Sequence, residues 1–140
     1  MTADLSARDV DLNLDLTALA LPDASYDATV CSHVLEHVSD DAAAMSELRR
    51  ITAPGGWCLI MVPLDLDRPD TYEDPSVVTA AERERAYRQH DHVRLYAPDI
   101  GERLRQAGFT VERVAPADAF GARLISRCRL LEGDYIWLCR

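Results

Sequence analysis

Apolar and polar positions change their rhythm several times along this chain, and each rhythm predicts an element. Val10-Asp11-Leu12-Asn13-Leu14-Asp15 alternates with a period of two, as a short half-buried strand does. Leu21-Pro22-Asp23-Ala24-Ser25 is turn chemistry. Residues 26–33, YDATVCSH, read as a strand: Val30 and Cys31 are core-like and Thr29 is β-branched. The chain then turns polar at Ser32, His33, Glu36 and His37. From Ser39 the period becomes helical, with Met45, Leu48 and Ile51 on one face. Ser39 is placed to cap that helix, Asp40 and Asp41 suit its positive end, and Arg49 and Arg50 its negative end. Pro54-Gly55-Gly56 ends it and turns the chain. Residues 57–62, WCLIMV, are apolar without a break, the pattern of a strand covered on both faces.

Residues 63–75 are rich in aspartate and proline and read as the longest loop. Thr79-Ala80-Ala81-Glu82 is a capping box opening a short charged helix, whose run to Arg88 is a solvated face. Residues 89–96 lead through a loop into a brief extended piece. Pro98 opens a further helix with Ile100, Leu104 and Ala107 on its apolar side and Gly108 at its end. A strand over 109–114, a helix over 120–130 and a closing strand over 134–140 complete the chain. A strand, a crossover helix and a second buried strand make the parallel unit of an α/β sheet, which takes ligands at the carboxyl ends of its strands. The polar group at Ser32 and His33 falls at such an end.

The whole of residues 1–140 reads as one domain with a single core. Its formal charge of −9 repels phosphate backbones and argues against nucleic-acid binding. No apolar run approaches the roughly 20 residues that cross a bilayer, and the first residues, MTADLSARDVDL, lack the pattern of a secretory signal. The expectation is therefore a cytoplasmic protein with no membrane partner. The four cysteines form no CxxC pair, and Cys31, Cys58 and Cys139 lie in apolar strand patterns as buried reduced thiols. His90, Asp91 and His92, with His33 and His37, offer nitrogen ligands. Their spacing matches no metal motif, so the expectation is no metal site.

Three stretches together carry a resemblance: DLTALALPDASYD, then VCSHVLEHV, then ELRRITAPGGWCLIMVP, followed by DHVRLY and a helix ending in AGF. In combination they resemble class I S-adenosylmethionine-dependent methyltransferases of the type 11 group. The resemblance implies a Rossmann-like sheet of strand order 3-2-1-4-5-7-6 with its last strand antiparallel. It implies methyl transfer from S-adenosylmethionine to a small-molecule acceptor. It places Asp4 on the ribose hydroxyls, Asp15 and Leu16 against adenine, and Ser32 and His33 beside the methionine portion. His92 is the candidate general base on the acceptor side, with Tyr96 beside it, since imidazole titrates near neutrality.

The family also has a first strand, an acidic GxGxG turn and a first helix ahead of the position of Asp4. Here the first glycine is Gly55. The expected fold is thus an α/β methyltransferase sheet lacking its first strand and first helix. That leaves the strand over 26–33 with an open edge. Three accounts follow: a fragment or late start; a second copy or partner chain pairing with the edge, as in a homodimer; or a truncated scaffold that folds alone. The last would serve as a binding or oligomerising protein that no longer methylates, or as a repurposed cofactor-free enzyme.

Overall fold

The computed structural model describes residues 1–129 and 134–140. Its centre is a four-stranded sheet. Strands β3 (Tyr26–Ser32) and β4 (Thr52–Met61) run parallel, joined through a 3₁₀ turn at Leu35–His37 and helix α1 (Asp41–Ile51). Strand β6 (Ile136–Cys139) lies between β4 and β5 (Val111–Val114) and is antiparallel to both. The order β3-β4-β6-β5 reproduces the 4-5-7-6 half of the expected sheet, antiparallel last strand included.

The other half survives as a separate parallel pair, β1 (Ala3–Asp4) with β2 (Leu12–Asn13). These match strands 2 and 3 of the expected order. Tyr26 Oη lies 3.7 Å from Met1 Sδ, so the chain at the start of β1 stands beside the start of β3. Among the described residues no strand pairs with the outer edge of β3, which is where the expected sheet has its first strand.

One apolar cluster joins α1, the sheet and helix α3 (Ile100–Gln106). Ala44, Met45 and Leu48 meet Cys31, Cys58 and Ile60 from the sheet, with Ile100, Leu104, Trp137 and Cys139 completing it. Gly56 permits the close approach of β4 to β3, because a Cβ there would stand 2.7 Å from the Asp27 carbonyl oxygen. Cys31, Cys58 and Cys139 are buried free thiols, as expected. Burial pushes Cys58 up to about 11 and Cys139 up to about 12, so they stay protonated at neutral pH.

Several local expectations need correction. The strand predicted over 10–15 is only the pair Leu12–Asn13. Asp40, not Ser39, caps α1, accepting from the Ala43 amide at 3.0 Å. The Pro54-Gly55-Gly56 turn sits inside β4 as an irregularity, with Thr52 opposite Tyr26 and Trp57 opposite Ala28. The helix predicted over 120–130 is the shorter α5 (Ala122–Cys128), and an unpredicted turn of helix, α4 (Pro116–Ala119), precedes it across the extended Phe120 and Gly121; Leu130 lies outside the described residues. Helix α2 (Ala80–Tyr87) carries the expected capping box, and α3 gives way to Gly108 at φ +96°. The piece before α3 is extended through single bridges of Tyr96 to Leu64 and Leu95 to Tyr72.

Candidate functional site

The carboxyl ends of β1, β2 and β3 carry the residues of interest. Asp4 closes the turn after β1: its Oδ1 accepts from the amides of Ser6 and Ala7, both at 2.8 Å. Asp15 follows β2, and its Oδ1 accepts from the Thr17 hydroxyl at 2.7 Å and the Thr17 amide at 2.8 Å. The bonds of Ser6 and Ala7 hold the Asp4 carboxyl below the usual range, and those of Thr17 do the same for Asp15. Both residues are exposed and their internal bonds fall on Oδ1, so each keeps Oδ2 for an outside donor.

The segment after β2 is strapped to α1. The Leu19 amide donates to Glu47 Oε2 at 2.7 Å, and Arg50 donates to the carbonyls of Leu19 and Leu21 and to Asp23. Leu16 packs against the apolar cluster. The placement of Asp15 and Leu16 is therefore fixed by α1 and the core, not by the short β1–β2 pair alone.

Ser32 ends β3 and is exposed. The His33 amide still donates to the Met61 carbonyl at 2.9 Å, but His33 adopts φ 54°, which turns the chain out of the strand. Its side chain is 56% exposed, with Nδ1 3.4 Å from Glu36 Oε1. Behind it lies a buried polar group that spacing along the chain did not reveal. Glu36 is 2% exposed and His92 5%. Glu36 Oε2 and His92 Nδ1 are both buried without a hydrogen-bond partner. The edge of one ring faces the other where His37 meets His92, at 4.8 Å between centroids, and His37 Nδ1 stands 3.5 Å from Asp91 Oδ2. The Val93 amide donates to the Glu36 carbonyl at 2.9 Å and joins the two segments.

The acceptor-side expectation for His92 and Tyr96 meets a closed environment. Burial holds the His92 imidazole below its ordinary value and hence neutral at pH 7. Tyr96 is fully buried and donates to Asp41 Oδ2 at 2.7 Å. The cause is Arg94 between them. Its guanidinium donates to the carbonyls of Leu35 and Ser39, each at 2.9 Å, and to that of Val38, and its Nε pairs with Glu73 at 3.1 Å. Those inward bonds draw the neighbouring side chains in. The exposed imidazole at the strand ends is that of His33. A hollow between α1 and α3, bordered by Asp41, Ser46, Asp70, Asp99, Glu102 and Arg103, includes none of Asp4, Asp15, Leu16, Ser32, His33 or His92.

A family model described as a methyltransferase domain, of the type 11 group, matches residues 2–60. That span holds β1 to β3, all but the last residue of β4, and five of the residues just placed: Asp4, Asp15, Leu16, Ser32 and His33. Over that span the chain matches the methyltransferase-domain family. The chain is 34% identical over 99 residues to a probable S-adenosylmethionine-dependent methyltransferase of Mycolicibacterium smegmatis, covering 70% of this chain and 34% of that protein. It is 35% identical over 124 residues to an uncharacterized 37.1 kDa protein of transposon Tn4556 from Streptomyces fradiae, covering 82% of this chain and 33% of that one. The chain thus spans about a third of the length of the curated relatives it matches. Its fold is shared by the Burkholderia thailandensis 1,6-didemethyltoxoflavin-N1-methyltransferase, solved with 1,6-didemethyltoxoflavin and S-adenosylhomocysteine. There the TM-score is 0.57 at 15% identity, over 98% of this chain and 57% of that one.

Proposed function

We propose that the chain takes part in methyl transfer from S-adenosylmethionine to a small-molecule acceptor. The observation that carries this reading is the pair of exposed carboxylates, Asp4 and Asp15, each with Oδ2 free, at the ends of β1 and β2, with Ser32 and His33 at the end of β3. The residues present fit the nucleoside part of the donor. Asp4 accepts from the ribose diol, Asp15 accepts from the exocyclic amine of adenine, and the Leu16 backbone N–H donates to the ring. Ser32 and His33 stand beside the methionine portion. The glycine turn that the family sets against the donor is not among residues 1–54.

S-adenosylmethionine supplies an electrophilic methyl group for in-line displacement. The protein's contribution is positioning. A base is needed only for an acceptor that keeps its proton, and His33 is the exposed imidazole placed to take it. Glu36 Oε1 stands 3.4 Å from its Nδ1, while His92, the base expected from the sequence, is buried.

Titration calorimetry with S-adenosylmethionine tests the reading. A dissociation constant in the micromolar range is expected, and Asp15→Ala should weaken it about tenfold, or about 1.4 kcal/mol. Absence of heat at millimolar donor, or an Asp15→Ala variant that binds as well as the parent, removes the proposal.

The open edge of β3 favours a second reading, in which two copies pair through it. Among the described residues no strand pairs with that side of the seven-residue β3, and Val30 is 66% exposed. Unpaired edges of this kind recruit another strand. Val30→Lys should shift a dimer to monomer in sedimentation; a parent that stays monomeric at high concentration rejects the pairing.

A further inference from the structure

We infer that Glu36, His37 and His92 form a binding site for a divalent first-row transition ion. Each offers one ligand atom, and the three atoms lie within 4.8 Å of one another. The independent sign is the pair of orphaned atoms. Glu36 Oε2 and His92 Nδ1 are both buried and without partners, on two residues of that cluster. Buried acceptors and imidazole nitrogens are ordinarily satisfied. A cation between them satisfies both at once.

The surrounding bonds select the ligand atoms. Asp91 Oδ2 faces Nδ1 of His37 at 3.5 Å, which leaves Nε2 as the ligand. A backbone hydrogen bond at Tyr87 engages the His92 ring, and its Nδ1 remains open. Glu36 presents Oε1 to His33 at 3.4 Å and keeps Oε2 for the ion. A histidine ligand held by an oxygen acceptor on its other nitrogen is the usual arrangement around a bound metal.

Two nitrogens and one carboxylate oxygen suit zinc, cobalt(II) or iron(II). Magnesium and calcium prefer oxygen alone. Tetrahedral coordination at metal–nitrogen bonds of about 2.0–2.1 Å needs ligand atoms about 3.3 Å apart. Closing from 4.8 Å takes side-chain rotation, because the backbone is already in place. Glu36 and His37 are neighbours on the 3₁₀ turn, and Val93 N–H binds the Glu36 carbonyl next to His92. The fourth position falls to water or to His33.

Cobalt(II) titrated into the chelator-stripped full chain, followed by its visible ligand-field bands and by zinc competition, tests the site without any methyl donor. One ion per chain is expected, with micromolar or tighter affinity. Glu36→Gln and His37→Gln should each weaken binding about 100-fold, and His90→Gln, outside the cluster, should leave it unchanged. His37 is a partly exposed ligand, so His37→Gln decides if Glu36→Gln does not fold. No saturable binding at millimolar cobalt overturns the inference, as does a His90→Gln loss equal to that of His37→Gln. Neither result bears on donor binding by Asp4 and Asp15.

Discussion

Arg94→Ala is expected to destabilise the protein by about 3–5 kcal/mol, the range for removing one partner of a buried charge pair. Arg94 is 3% exposed and binds the carbonyls of Leu35, Val38 and Ser39 at the junction between the 3₁₀ turn and α1. No other side chain donates to those three carbonyls among the described residues. Its loss also leaves Arg103 as the cation paired with Asp41 and Glu73, beside the Tyr96 hydroxyl on Asp41. Arg94→Lys should recover little, because a single ammonium cannot reach three carbonyls and a carboxylate in one plane. Urea unfolding measures both variants. An Arg94→Ala loss under about 1 kcal/mol would place Arg94 among weakly coupled surface pairs.

The same network gives a direction with pH. Burial works to raise the Glu73 carboxyl, but its bonds from Arg103 and Arg94 outweigh burial and lower it. A carboxyl lowered by folding stabilises above its unfolded value, about 4.3. That contribution disappears as pH falls through the depressed folded value. Arg94→Ala should therefore flatten the acid limb of the stability curve.

Trp137→Ala is the second large effect, about 3–5 kcal/mol from the void it leaves. Trp137 is buried on β6, and its ring fills the space over α3: a Cβ on Gly101 would stand 2.7 Å from its Cζ3. Gly101→Ala should cost about 1–3 kcal/mol by overpacking. The double variant should cost less than the sum, since the added methyl enters space the indole has left. Thermal unfolding of the four proteins reads the coupling. Strict additivity would show that α3 does not rest on Trp137.

Much of the fold was legible in the chain because burial writes simple patterns. The unbroken apolar run of β4, the Met45–Leu48–Ile51 stripe of α1 and the box at Thr79 each name their element. Where two residues compete for one role the pattern is silent. Ser39 and Asp40 can both cap, and Asp40 does so because it stands immediately before the first helical residue, where its Oδ1 reaches the Ala43 amide. The strand-end residues were legible through the resemblance. The cluster behind them was not. DHVR reads as a polar loop, and the Val93 amide on the Glu36 carbonyl, with the inward bonds of Arg94, carries His92 beside Glu36. Glu36 showed only as part of the polar stretch after β3 for the same reason: its neighbour in space comes from a distant segment. The left-handed backbone of His33 has no signature in sequence either.

The central claim is that the ends of β1, β2 and β3 hold the nucleoside of a methyl donor. Backbone amide chemical shifts of the labelled chain, titrated with S-adenosylhomocysteine, test it most directly. The account predicts saturable shifts at Asp4, Asp15, Leu16, Ser32 and His33, with Val111 to Val114 on the far edge of the sheet unmoved. An unchanged spectrum at millimolar ligand, or shifts gathered around α3 instead, would contradict it.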